Sequence, residues 1–442
     1  MDIKLPEQVN IVLEVLECKG FEAYVTGGCV RDSLLNKIPK DWDICTDALP
    51  HEIKECFCSY KTIDTGLKYG TVTVVVTKME IQITTYRIDT DYSDFRRPDK
   101  VEFTRSLRED CKRRDFTVNA MAYNPKRGLK DFFNGFTDLT CKVIRCVGNA
   151  QDRFGEDALR ILRALRFSSV LGFSIEADTS KIIHELYGLL EKISSERVFS
   201  ELSKLLSGKN IYNVLIEYPD VISVFIPYVK YCEKFKIPHT GMSLWEHISR
   251  SISIAADISY VKWALLFHKM GLDANDLPGN DREIQRSREI ALEMLVRLKA
   301  DGTTLKKTIL IIENKDIDLV PDKHAILRQL KRIGPEMYIM LLEFLSAHIN
   351  AGGFNTFDQF DKVKDCKNIF DYIINKNLCW SVSRLNINGL DLINAGMDEG
   401  IRLGQILDRL TDEVIEELLP NRKEPLLQRA LELWNEYNKI YQ

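Results

Sequence analysis

The sequence predicts an α/β domain at the N-terminus followed by domains that are helical throughout, and three observations carry this reading. The first 140 residues mix two periodicities, with a helical pattern over Glu7–Cys18 and strand-like runs at Ala23–Thr26, Trp42–Cys45, Thr71–Thr77 and Ile81–Tyr86. From about Gln151 the β-rich runs stop, and apolar residues recur three and four apart, as in Leu159, Leu162 and Leu165 and again in Val198, Leu202 and Leu205. The length, 442 residues, exceeds what one hydrophobic core organises, so roughly two to four domains are expected. Clusters of Gly, Asp, Asn and Pro at Gly271–Asn280, and a second break around Gly352–Phe357, divide the helical part.

Composition narrows the function classes. Hydrophobic residues at 45% and charged residues at 29% describe an ordinary globular chain. The formal net charge of −4 excludes binding of nucleic acid through bulk charge, so any such surface is local. Eleven cysteines lack C-x-x-C spacing and are odd in number, which fits reduced thiols and a cytoplasmic location better than a disulfide framework. The start, Met1-Asp2-Ile3-Lys4-Leu5-Pro6, has neither the basic opening nor the apolar core of a signal peptide. No later apolar run reaches the length of about 18 residues that a bilayer requires, so no membrane partner is expected.

The first chemical signal is Tyr24-Val25-Thr26-Gly27-Gly28-Cys29-Val30-Arg31-Asp32, a strand entering a two-glycine turn and then a helix. Glycines let a phosphate approach the backbone, and the helix start offers free N–H donors. By itself this also describes an ordinary turn. A dozen residues on, Lys40-Asp41-Trp42-Asp43-Ile44 places two carboxylates at i, i+2 in a strand-like run, which puts Asp41 and Asp43 on one face and Trp42 and Ile44 on the other. Two close carboxylates repel unless a cation lies between them, and hard oxygen donors suit Mg²⁺ carried by a nucleoside triphosphate. Two such ions are expected. A solvated strand edge is the alternative for D-x-D alone.

Further along, Lys112-Arg113-Arg114-Asp115-Phe116-Thr117-Val118-Asn119-Ala120 sets cations suited to phosphate oxygens beside an Asp and an Asn that suit ribose hydroxyls. In Glu156-Asp157-Ala158-Leu159-Arg160-Ile161-Leu162-Arg163-Ala164-Leu165-Arg166-Phe167, helical spacing makes Asp157 and Arg160 i, i+3 neighbours, with Arg163 and Arg166 continuing the row. A solvated ion pair explains that spacing. So does base reading. Cytosine and adenine both present an amino donor beside a ring-nitrogen acceptor, so one carboxylate and one guanidinium accept C and A and reject U and G.

These motifs together resemble those of the tRNA CCA-adding enzyme and bacterial poly(A) polymerase family. The resemblance extends through Asp131-Phe132-Phe133-Asn134-Gly135-Phe136-Thr137-Asp138-Leu139 and Arg197-Val198-Phe199-Ser200-Glu201-Leu202. It implies an α/β nucleotidyltransferase head with a mixed, polymerase-beta-like sheet at 1–140, a helical neck at 141–206, a helical body at 207–350 and a helical tail at 351–442. Metal binding then falls to Asp41 and Asp43. Nucleotide binding falls to Gly28, Arg31, Arg114, Asp115, Asn119, Asp157, Arg160, Arg163 and Arg166. CTP, ATP and tRNA become the expected partners, with acceptor stem and elbow held by the chain, and no DNA is expected.

Three details refine the resemblance. Gln82 stands where relatives often carry an acid, and Glu80, on the same strand face, is a substitute to consider. The Asp89–Phe103 stretch, dense in Asp, Ser, Arg and Pro, is read as a loop rather than a strand, and similar loops accompany complete CCA addition in the family. His239, His247 and His268 look like a degraded HD phosphohydrolase site, but Lys269 replaces the required Asp, so no hydrolysis of that type is expected. Asn388-Gly389-Leu390-Asp391-Leu392 and Gly404-Gln405-Ile406-Leu407 resemble the tail of Gram-positive-type CCA enzymes. An A-adding enzyme or poly(A) polymerase is the nearest alternative.

Overall fold

The computed structural model describes residues 2–90, 100–238, 240–273, 281–354 and 357–440. The chain divides into two compact units, residues 1–231 with 297–300, and residues 232–296 with 301–442.

The first unit is built on a seven-stranded sheet of strands β1 (Ala23–Thr26), β2 (Asp43–Thr46), β3 (Lys61–Ile63), β4 (Thr71–Val76), β5 (Met79–Thr85), β8 (Met121–Asn124) and β9 (Gly128–Asp131). Its spatial order is β3-β4-β5-β2-β1-β8-β9. β2 and β5 run parallel and the other neighbours antiparallel, which makes the sheet mixed. Alternation is clean in β4 and β5, where Val72, Val74, Val76, Ile81 and Ile83 are buried while Glu80 and Gln82 face solvent. The central strands β1 and β8 are buried along their whole length.

Several elements depart from expectation. The stretch read as a loop begins and ends in strands, because β6 (Arg87–Thr90) pairs antiparallel with β7 (Lys100–Phe103). A paired ribbon satisfies backbone groups that composition alone cannot foresee. Residues 91–99 between them lie outside the described residues, as does His239. The short strands β3, β8 and β9 were not anticipated either, and two-residue parallel strands, Val143–Ile144 and Ser174–Ile175, interrupt the helical region.

Beyond the sheet, the helix Leu159–Leu171 buries Leu159, Leu162 and Leu165 and packs on Ser195–Leu206, which buries Val198, Leu202 and Leu205. The predicted apolar rows are therefore core rows. Asp157 lies outside the helix. Its backbone is extended (φ −138°, ψ 102°), between Ala150–Glu156 and Leu159–Leu171, and its Oδ1 accepts from the Leu159 N–H at 3.1 Å. A carboxylate just ahead of a helix satisfies an orphan donor, so the chain stops one helix and starts another there.

The second unit is helical among the described residues. The helix Lys323–Asn350 is two helices end to end, since Gly334 takes φ 77°, ψ 160° before Pro335. A separate apolar cluster near the C-terminus includes Leu392, Ile406, Leu410, Leu426 and Leu433. No helix among the described residues is long and apolar enough to cross a membrane, and the eleven cysteines are free thiols.

Candidate functional site

The strand β1 ends at Thr26, whose register partners are Asp43 on β2 and Ala122 on β8. Gly27 follows with φ 78°, ψ −130°, a conformation open to glycine. A β-carbon there would lie 3.1 Å from Arg114 Nη1, so the turn also leaves room for that guanidinium. The helix Gly28–Leu34 then begins, with Gly28 as its first residue.

Asp43 opens β2 half-buried, and Asp41 precedes it, exposed. Among the described residues, no hydrogen bond or ion pair engages either carboxylate. Burial pushes the Asp43 carboxyl up, the Asp41 charge adds to this, and the Arg114 charge offsets part of it. Two neighbouring unpaired acids, one of them half-buried, form a donor set suited to a divalent cation. Gln82 sits directly beside Asp43 in the β2–β5 register, while Glu80 is two residues away along β5 and is not drawn into a ligand group with the two aspartates among the described residues.

A polar network links the next candidates. Arg31, buried, donates from Nη1 to Asn119 Oδ1 at 2.7 Å and from Nη2 to Asp32 Oδ1 at 2.7 Å. Asn119 Nδ2 donates to Asp115 Oδ1 at 3.1 Å, which also accepts from the Phe116 N–H at 2.8 Å. Arg163 reaches Asp115 Oδ2 with Nε at 2.8 Å and Nη2 at 2.5 Å. Arg31, Arg163 and Arg166 surround the Phe167 ring, 5.1, 5.4 and 4.0 Å from its centroid. Arg114 pairs with fully buried Asp110 at 3.2 Å, and its Nε is a buried donor with no hydrogen-bond partner. Each of these guanidiniums has an acidic neighbour, and the unpartnered Arg114 Nε is the donor left over for an anion.

Burial alone would raise the Asp115 carboxyl, but the Arg163 charge and hydrogen bond, with help from Asn119 and Arg160, hold it well below the usual carboxylate range. A carboxyl with a depressed folded-state pKa stabilises the fold above its unfolded value of about 4, and that contribution fades as the pH falls toward the folded value. Asp115→Asn is therefore expected to lower the urea midpoint at pH 7 and to begin approaching the wild type only as the pH falls below about 4. Parallel curves across pH 3–7 would contradict this assignment.

Asp157 and Arg160 do not pair with each other. Asp157 Oδ2 accepts from Arg197 Nη2 at 3.0 Å. Arg160, buried, donates from Nη1 to Glu156 Oε2 at 2.6 Å and to the Arg153 carbonyl at 3.0 Å, and from Nη2 to the Arg113 carbonyl at 2.9 Å. The expected helical i, i+3 pair is replaced because Asp157 sits before the helix rather than on it.

Residues 23–145 match the family described as Poly A polymerase head domain, and residues 172–218 match the one described as probable RNA and SrmB-binding site of polymerase A. The chain is 35% identical over 428 residues to the CCA-adding enzyme of Leuconostoc citreum, covering 96% of each chain. The chain belongs to the CCA-adding enzyme family. The CCA-adding enzyme of Ligilactobacillus salivarius is 36% identical over 437 residues, 98% of both chains. In fold, the chain is similar to the Bacillus stearothermophilus CCA-adding enzyme in complex with CTP, with TM-score 0.69, 28% identity and 99% of both chains covered. It also shares the fold of the Thermotoga maritima CCA-adding enzyme complexed with tRNA, with TM-score 0.59 and 22% identity, over 98% of this chain and 96% of that one.

CCA-adding enzymes are nucleotidyltransferases, a class that generally uses divalent metal ions. In this member, partners that sequence reasoning left without a role complete the polar network. Arg197 engages Asp157, and Glu201 Oε2 lies 3.0 Å from Arg166 Nε. Asp110 anchors both Arg113 and Arg114. Arg197 and Glu201 lie in a run the resemblance had marked, while nothing in the spacing of Asp110 announces its burial.

Proposed function

We propose that this chain adds C, C and A in sequence to the 3′ end of tRNA, using CTP and ATP and releasing pyrophosphate. The observation that carries the reading is the unpaired Asp41 and Asp43 pair beside the Gly27 turn, with the partly buried Arg114 guanidinium against that turn. In the proposal Asp41 and Asp43 would hold two Mg²⁺ ions, which would supply acidification of the attacking hydroxyl and charge neutralisation on the leaving pyrophosphate. Gly28, Arg31, Arg114, Arg163 and Arg166 hold the triphosphate. Asp115 and Asn119 take the ribose, and Asp115, whose oxygens accept four protein donors, also keeps Asn119 and Arg163 in position. The tRNA 3′-hydroxyl attacks the α-phosphate in line, and pyrophosphate departs.

Base choice falls to Asp157 and Arg160, and the chain is divided as head 1–140, neck 141–206, body 207–350 and tail 351–442, with tRNA held along body and tail. Asp157→Ala is expected to lower C and A incorporation and to narrow their advantage over U and G by roughly 5- to 150-fold, the equivalent of about 1–3 kcal/mol for a polar group left unpaired. Single-turnover incorporation of each nucleotide measures it, and unchanged ratios would remove the base-reading role. The function itself is tested with tRNA ending before CCA. CTP alone should add two residues and ATP should then complete the end, whereas failure to incorporate C would leave an A-adding enzyme or poly(A) polymerase.

A further inference from the structure

Three histidines far apart in the sequence converge inside the second unit. His247 lies on the helix Leu244–Ile254, His268 caps the helix Ser259–Phe267, and His348 is near the end of Lys323–Asn350. His247 and His268 are fully buried and His348 is partly buried. One ring nitrogen from each lies within 4.8 Å of the other two.

Hydrogen bonding fixes where the protons sit. His247 Nδ1 is 2.5 Å from the Gly352 carbonyl, and His268 Nδ1 is 2.6 Å from the Leu265 carbonyl. A carbonyl only accepts, so both Nδ1 atoms are donors and both Nε2 atoms of the neutral rings carry lone pairs. Both Nε2 atoms point at one atom, His348 Nδ1, at 2.9 and 3.1 Å. That nitrogen holds at most one proton and can serve only one of them fully. Ser251 Oγ is 3.5 Å from His247 Nε2, but its hydroxyl is donated to the His247 carbonyl at 2.8 Å. The cluster therefore has more acceptors than protons, and a second proton on it is opposed by burial and by the ammonium groups of Lys269 and Lys315.

We propose that His247, His268 and His348 bind a divalent transition-metal ion of the zinc type. Metal-binding imidazoles characteristically anchor the other ring nitrogen to a carbonyl or carboxylate, as His247 and His268 do here. Zn–N bonds of about 2.0–2.1 Å in tetrahedral geometry separate donor nitrogens by about 3.3–3.4 Å, so the two contacts to His348 Nδ1 lengthen by a few tenths of an ångström and the His247 and His268 Nε2 atoms, within 4.8 Å of each other, close on the ion. A cavity of about 510 Å³, lined in part by His268, His348, Lys269, Lys315 and Phe354, adjoins the cluster. Water or a small anion from it fills the fourth position. The two lysines oppose a cation nearby, and Glu283, paired with both, cancels part of their charge. This metal is distinct from any ion held by Asp41 and Asp43, and with a lysine following His268 the site is not that of an HD hydrolase.

The test uses the full-length Asp41→Ala, Asp43→Ala protein, stripped with chelator, so that binding is read independently of nucleotidyl transfer. Titration with Co²⁺ should give one equivalent with the visible absorption bands of tetrahedral nitrogen-bound cobalt, displaced by Zn²⁺. His268→Gln, with retained helicity by circular dichroism, should lose the bands and at least about tenfold in affinity. Absence of the bands in the protein with all three histidines intact overturns the proposal, whatever the variant does. Bands that persist undiminished in folded His268→Gln also overturn it.

Discussion

Asp43→Asn is expected to lower nucleotide incorporation by about a thousandfold or more while leaving the metal-free protein as stable as the wild type or more stable. The loss corresponds to removing several kcal/mol of charge stabilisation in the transition state, at about 1.4 kcal/mol per factor of ten. The opposite effect on stability follows from the sign of the shift. Burial and the Asp41 charge raise the Asp43 carboxyl, so the ionised form is less favoured in the folded chain than in the unfolded one at neutral pH. The isosteric amide removes that strain. Steady-state incorporation of CTP into tRNA lacking its CCA end measures the first effect, and melting in the presence of chelator measures the second. Incorporation at the wild-type rate would remove Asp43 from the metal site, and a clear drop in the chelated melting temperature would contradict the electrostatic account.

The largest stability effect is expected in the second unit, from Glu283→Ala. Glu283 is fully buried, with Oε2 at 2.9 Å from Lys269 Nζ and Oε1 at 2.7 Å from Lys315 Nζ, and both lysines are almost fully buried. Removing the shared carboxylate leaves two almost fully buried ammonium groups close together, with Asp316, 3.5 Å from Lys315 Nζ, as the acid that remains beside them. Breaking a buried pair from one side destabilises by about 3–5 kcal/mol. For a unit of about 200 residues that is roughly 6–20 °C in the melting temperature. The contrast is a triple variant, Glu283→Leu with Lys269→Met and Lys315→Met, which should recover most of the loss because no buried charge remains. A loss below about 1 kcal/mol in Glu283→Ala, measured by denaturant unfolding, would show that the lysines find other partners.

What the sequence revealed depended on whether a feature was local. The helix Glu7–Cys18 and strand Ala23–Thr26 were legible to the residue because periodicity and burial coincide there. The rows Leu159, Leu162, Leu165 and Val198, Leu202, Leu205 were likewise legible as packing faces. The strand Gly128–Asp131 was not, since Gly-Leu-Lys-Asp has no alternation and exists as a strand only through its pairing with β8. The Asp157 break escaped notice because helical spacing continues through it, and only its extended backbone and the Arg197 partner reveal it. His348 escaped for a different reason. It stands 80 residues from His268, and no spacing rule reaches across the intervening helices. Gly28 was selected for closeness to phosphate, whereas the conformation reserved for glycine is at Gly27.

Under the proposed base-reading role, the partners already held by Asp157 and Arg160 would make base selection an exchange rather than a filling of empty positions. Arg197 occupies the carboxylate, while Glu156 and two carbonyls occupy the guanidinium. An incoming base edge would have to displace these residents, and one that offers the wrong donor or acceptor would leave them undisturbed. In that role the threshold for admission would be set by bonds within the protein as much as by bonds to the base.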